Sequence, residues 1–123
     1  MVAEPPPSPP GRSGEDLACA HLLARGLRVV ERNFRCRVGE IDVVARDGDV
    51  VVFVEVKERR GASHGSAVES VSAGKRHRLV RAARLYAARH GLSESALRFD
   101  VVAIDWGEQG ARIRHEPGAF GEE

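Results

Sequence analysis

The residues best suited to chemistry lie in two short blocks, Gly39-Glu40-Ile41-Asp42 and Phe53-Val54-Glu55-Val56-Lys57. Asp42 and Glu55 offer hard carboxylate oxygens of the kind that hold Mg²⁺ or Mn²⁺. An ammonium beside them, Lys57, could orient or help deprotonate an attacking water, while the cation stabilises charge on a phosphate and its leaving oxygen. The chemistry that fits is hydrolysis of a phosphodiester.

The elements that must position these groups can be derived from the residues between them. Ile41 to Ala45 and Val50 to Val56 are rich in β-branched side chains, and Asp47-Gly48-Asp49 is a turn signal, so two strands and a tight hairpin are predicted. With Gly48-Asp49 as the loop and Asp47 opposite Val50, Asp42 faces Glu55 and Glu40 faces Lys57, all on one side of the sheet. Val50, Val52, Val54 and Val56 then point to the other side, where a core would lie. Like charges placed opposite one another destabilise a strand pair unless something positive sits between them, and a divalent cation or Lys57 would supply that charge. A one-residue slip in register would move one strand's set to the opposite face. The competing reading is a charged cross-strand cluster that only solubilises the sheet. Composition adds a second argument: Lys57 and Lys75 are the two lysines of a chain whose other basic residues are arginine, which suggests that an amine is required there.

The chain as a whole sets further bounds. Its 123 residues fit one small α/β domain, assigned here to residues 13–120 and preceded by a proline-rich tail over 1–12 with a disordered or extended character. The net charge of +1 gives no bulk basic character, so any nucleic-acid argument rests on charge distribution. Cys19 and Cys36 form no zinc-ligand spacing and read as reduced thiols of a cytoplasmic protein. The tail has neither the basic start nor the apolar run of a secretory signal, and no stretch approaches a membrane span. The end of the chain after Glu116 is expected to fray, with Phe120 as a candidate to fold back.

Along the chain, Ser13 and Asp16 resemble a capping box opening a helix over Gly14 to Arg25. Leu27 to Asn33 reads as a strand leading into the hairpin. Gly61 to Gly65 reads as a flexible loop, and Ser66 or Ser72 caps a long helix ending at His90. Leu97 to Asp105 is a buried strand and Ala111 to His115 an edge strand. The long helix carries Lys75, Arg76, Arg78, Arg81, Arg84 and Arg89 with no acid, leaving 13 cations against 18 acids elsewhere. Its stripe of Leu79, Ala82, Ala83 and Tyr86 faces the core, so the basic residues face outward, either as a solvated surface or as a track for a phosphate backbone. Lys75, Arg76 and Arg78, with Arg59 beyond the hairpin strand, are the candidate nucleic-acid contacts. The five histidines form no ligand spacing and read as surface or capping residues. Asp100 reads as a structural hydrogen-bonding group, with Arg98 or a loop amide as partner.

The Gly-Glu-Ile-Asp, Phe-Val-Glu-Val-Lys and Arg-Phe-Asp-Val-Val blocks, with Gly14-Glu15 upstream and Ala119-Phe120 near the end, resemble the YraN family of bacterial proteins. That family in turn resembles the restriction-endonuclease-like PD-(D/E)xK superfamily, and within it the archaeal Holliday-junction resolvases. The resemblance implies an αβββαβ core with a mixed sheet flanked by helices. It places Asp42, Glu55 and Lys57 as catalytic residues, and Asp42, Glu55 and Glu15 as ligands to Mg²⁺ or Mn²⁺. Glu15 reads equally well as an acid favoured by the helix dipole. Ile41 stands where the superfamily motif has proline, and Glu58 adds a negative charge after the lysine, its side chain expected to point away. The function implied is a metal-dependent nuclease acting on branched or otherwise non-duplex DNA, with a homodimer suggested by analogy to resolvases. The alternative is a non-catalytic nucleic-acid-binding or scaffold protein that keeps the fold.

Overall fold

A computed structural model describes residues 13–60 and 65–122; the expected tail, and Ser63 and His64 of the expected loop, lie outside them. The elements are α1 (Gly14–Ala24), β1 (Arg28–Cys36), β2 (Gly39–Asp47), β3 (Val50–Arg60), a 3₁₀ turn (Val68–Ser70), α2 (Ala73–Arg89), β4 (Leu97–Gly107) and β5 (Gly110–Phe120). This is the expected αβββαβ order with a trailing strand. Both helices start where a serine caps them: Ser13 Oγ accepts from the Asp16 amide at 3.0 Å, and Ser72 Oγ from the Lys75 amide at 3.2 Å. Ser72 is therefore the cap of the long helix, whereas Ser66 and Glu69 exchange hydrogen bonds around the 3₁₀ turn.

The five strands lie in the order β1-β2-β3-β4-β5. Only β3 and β4 run parallel, because α2 carries the chain from the end of one to the start of the other. The hairpin register is the expected one, with Asp47 opposite Val50 and Val43 opposite Val54. α1 packs Ala18 and Leu22 against Val43, Ala45, Val52, Val54, Val102 and Ile104. On the other face α2 packs Leu79, Ala82, Ala83 and Tyr86 against Val44, Val51, Phe53, Phe99, Val101 and Ala103. The core thus lies on both sides of β3, not only on the side of Val52 and Val54, and burial on two faces explains why β3 and β4 read as near-continuous apolar runs.

Two ends differ from expectation. β1 extends past Asn33 to Cys36, with Asn33 itself at φ 58°, a left-handed conformation that asparagine tolerates better than most residues. The segment after Glu116 does not fray: β5 continues to Phe120, which stacks on Phe99 with ring centroids 5.3 Å apart. A register shift opposite Phe99 to Val101 accommodates Pro117, and Gly118, at φ 58°, turns its amide onto Asp100 Oδ1 at 3.0 Å. No described helix is long and apolar enough to cross a membrane.

Candidate active site

The ladder between β2 and β3 stops at Val43 and Val54, and Asp42 sits where the two strands part. Its carboxylate takes the place of a backbone acceptor, with Oδ2 receiving the Val56 amide at 2.8 Å. Glu55, on the same sheet face as Phe53, points toward α2 and is 5% exposed. The Asp42 and Glu55 carboxyls lie within hydrogen-bonding reach of each other. Lys75, in the first turn of α2, brings Nζ to 3.5 Å from Glu55 Oε2. Lys57, two residues along β3 from Glu55, is exposed. Glu58 turns to the opposite side as expected, where it packs on Gly14 at the start of α1 and accepts from Trp106 Nε1 at 2.8 Å.

The electrostatics follow from this geometry. Burial, and next the Asp42 charge, push Glu55 up to about 7 against the opposing pull of Lys75. Asp42 is also raised, by burial first, with Glu15 and Glu40 adding to it and the Val56 amide and Glu55 hydrogen bonds opposing. Such a pair makes the folded protein bind more protons than the unfolded chain between the ordinary glutamate value and 7. Stability should therefore fall as pH rises through that window, by on the order of 2–3 kcal/mol for Glu55. Chemical denaturation at pH 4.5 to 8 measures this, and a flat or rising profile over that window, once other titrating groups are matched by an Asp42→Asn control, would contradict it. If the pair holds a divalent cation, saturating Mn²⁺ or Mg²⁺ should flatten the fall, because a bound cation favours the ionised pair.

The remaining expected site residues separate into those that gather and those that do not. Glu15 lies near enough for its charge to act on Asp42, yet its Oε1 is held by Arg32 Nε at 2.9 Å and Asn33 Nδ2 at 3.1 Å. Among the described residues no three His, Cys, Asp or Glu side chains form a ready-made metal cluster, so Glu15 would have to leave Arg32 to serve as a third ligand. Glu40 pairs with Arg35 across β1 and β2 at 3.7 Å instead of facing Lys57, because the hairpin has already opened. Arg59 is not a free cation: it forks onto Asp105 at 2.7 and 3.1 Å, donates to the Gly65 and Ser66 carbonyls, and is 10% exposed. Arg76 is likewise committed to the Val71 and Val68 carbonyls, with its guanidinium over the Phe120 ring. Arg78 and Arg81 are exposed on α2, as the spacing predicts. The holders of Glu15, Arg32 and Asn33, were not read from the sequence as site residues, since nothing in β1's pattern indicates that it turns toward α1.

Residues 14–104 match the family described as "Uncharacterised protein family UPF0102". The chain belongs to the UPF0102 family. This agrees with the YraN resemblance carried by the same blocks. A UPF0102 protein of Anaeromyxobacter dehalogenans is 49% identical over 110 residues, covering 89% of this chain and 82% of the relative. One of Syntrophotalea carbinolica is 46% identical, covering 89% of each, and one of Stutzerimonas stutzeri is 53% identical over 76% and 79%. Among solved structures, SfsA of Pyrococcus furiosus in complex with Ca²⁺ is similar at a TM-score of 0.38 and 13% identity, covering 84% of this chain and 59% of that one. That likeness is too slight to carry an argument about the UPF0102 site.

Proposed function

We propose that this UPF0102 protein is a metal-dependent nuclease of the cytoplasm that hydrolyses phosphodiester bonds in DNA, selecting by structure and not by sequence. One observation carries the reading: a buried carboxyl, Glu55, and a half-buried one, Asp42, lie within reach of each other at the opening of a sheet, with Lys57 exposed beside them. A structural pair of acids would be matched by arginine or amide donors, and here the compensation is one amide and an ammonium at 3.5 Å. Hard oxygen donors of this kind suit Mg²⁺ or Mn²⁺, with the Val56 carbonyl as a further ligand. When bound, the cation supplies the positive charge that stabilises the scissile phosphate and its leaving oxygen. Lys57 orients the attacking water and the phosphate. Lys75 neutralises Glu55 until a cation does so.

The DNA would lie along exposed α2, with Arg78 and Arg81 on phosphates and no element suited to reading bases. Arg78→Ala is expected to weaken binding to all sequences alike and to reduce the slope of log affinity against log salt by about 1. Fluorescence anisotropy over a salt series tests this, and an unchanged slope would remove Arg78 from the interface. Arg59→Ala should instead act on stability, because its role is the Asp105 pair. A homodimer would present two such sites to opposed strands.

The Lys75 to Glu55 ion pair also favours a second reading, a non-catalytic DNA-binding protein in which the ammonium keeps the place of the metal. Cleavage of linear, flapped and four-way-junction DNA in Mg²⁺ or Mn²⁺ separates the two. Turnover lost in Asp42→Asn and Lys57→Ala is the nuclease result, whereas salt-sensitive binding without turnover in the parent is the other.

A further inference from the structure

The fold brings together two histidines that the sequence keeps far apart. His21 of α1 and His115 of β5 meet edge to face, with ring centroids 5.4 Å apart and planes at 81°. The His115 side chain is 3% exposed. His21 Nε2 and His115 Nδ1 are both buried and have no hydrogen-bond partner among the described residues. Unpaired imidazole nitrogens removed from water are costly unless something binds them. These two are therefore not the surface histidines that the sequence suggests.

Asp100 determines what can bind. Its Oδ2 lies 2.9 Å from His115 Nε2, while Arg98 and the Gly118 amide donate to the same carboxylate. An ionised carboxylate only accepts, so His115 donates to it through Nε2, and Nδ1 is the nitrogen left for a ligand. A carboxylate behind an imidazole, with the far nitrogen bare, is the arrangement that aims a histidine at a metal. Burial disfavours the protonated form of His21, which leaves it able to serve as a ligand.

We propose that His21 and His115 form a binding site for a borderline transition-metal ion, Zn²⁺ or Cu²⁺, with Asp100 orienting His115. Two imidazoles sharing a tetrahedral ion at about 2.0–2.1 Å per nitrogen place their ring centres roughly 5 Å apart, close to the observed 5.4 Å, and the rings turn from their edge-to-face contact to bring both nitrogens onto the ion. Two protein ligands leave the other positions to water, and Arg98 and Arg25 nearby keep the affinity modest. The site lies on the α1 face, whereas Glu55 faces α2, and it does not depend on the nuclease reading. Imidazole nitrogen favours Zn²⁺ and Cu²⁺ over Mg²⁺, so the two sites also differ in chemistry.

The test titrates the full chain carrying Asp42→Asn with Zn²⁺ by calorimetry and with Cu²⁺ by visible absorption, and follows the imidazole resonances of the unsubstituted chain by NMR. His21→Gln, on a half-buried helix position that tolerates the change, should weaken binding about tenfold or more, as should His115→Gln. Cys19→Ser should leave it unchanged. Zn²⁺ should move the His21 and His115 nitrogen shifts together in the unsubstituted protein, which needs no variant to fold. Equal binding by His21→Gln, or shifts confined to His77 and His90, would mean adventitious surface binding and would overturn the proposal.

Discussion

Asp42→Asn is expected to lower metal-dependent DNA cleavage by about three orders of magnitude or to below detection, a barrier increase of roughly 4 kcal/mol. The same substitution should make the protein more stable, not less, at pH 8. The asparagine amide keeps a side-chain oxygen for the Val56 N–H, so the opening of the hairpin is held as before. What is lost is the Asp42 charge that, with burial, raises Glu55 to about 7. Removing the half-buried carboxylate beside buried Glu55 relieves a repulsion that Lys75 and the Val56 amide offset in part and a bound cation would offset further. Gain of stability with loss of activity is the signature of a functional site, because structural charges behave in the opposite way. Parallel melting and Mn²⁺-dependent cleavage measurements decide the matter. Loss of both stability and activity would show that Asp42 is a structural hydrogen-bond acceptor first, and unchanged activity would remove it from catalysis.

Asp100→Asn should have the reverse effect on stability, destabilising the fold by about 3–5 kcal/mol, because it breaks a buried pair from one side. Asp100 is fully buried, yet every side of its carboxylate is matched: Arg98 forks onto it at 2.9 Å through Nε and Nη2, His115 meets it at 2.9 Å, and the Gly118 amide at 3.0 Å. Burial alone would raise its pKa, but the hydrogen bonds from His115, Arg98 and Gly118 outweigh burial and hold it below the usual aspartate value. The folded state therefore binds fewer protons than the unfolded chain near that value. The contribution is fully present above the unfolded pKa and is lost as pH falls through the folded one. Thermal melts should show a drop of roughly 12–20 °C at neutral pH, and the acid limb of the parent's stability profile should be shallower in the variant. A loss below about 1 kcal/mol would mean that Arg98, which also pairs with Asp47 at 2.8 Å, is satisfied without Asp100.

The two acids illustrate how far the residues alone lead. Glu55 in Phe53-Val54-Glu55-Val56-Lys57 and Asp100 in Arg98-Phe99-Asp100-Val101-Val102 are each a single carboxylate inside an apolar strand, and periodicity treats them alike. The hairpin register was legible because a two-residue turn and a period of two leave one pairing that keeps the valines together. Element order, the α2 stripe and the pairing of Asp100 with Arg98 were legible for similarly local reasons, whereas the amide that joins them is that of Gly118 in β5 and not of a loop. Whether β2 stays paired past Val43 is not local. Its departure leaves Glu40 with Arg35 and puts the Asp42 carboxylate in the ladder's place.

Charge on α2 was likewise visible as composition, but only packing decides which arginines are free. Arg59 and Arg76 are consumed by Asp105 and by backbone carbonyls at the ends of the sheet and the 3₁₀ turn, while Arg78 stays exposed. By itself the sequence determined the strand and helix periods, the caps, the hairpin register and the family blocks, all of which depend on neighbours a few residues away. The tertiary structure alone decided which buried charges are matched and which are not, and that His21 meets His115, because those outcomes depend on partners drawn from opposite ends of the chain onto one sheet.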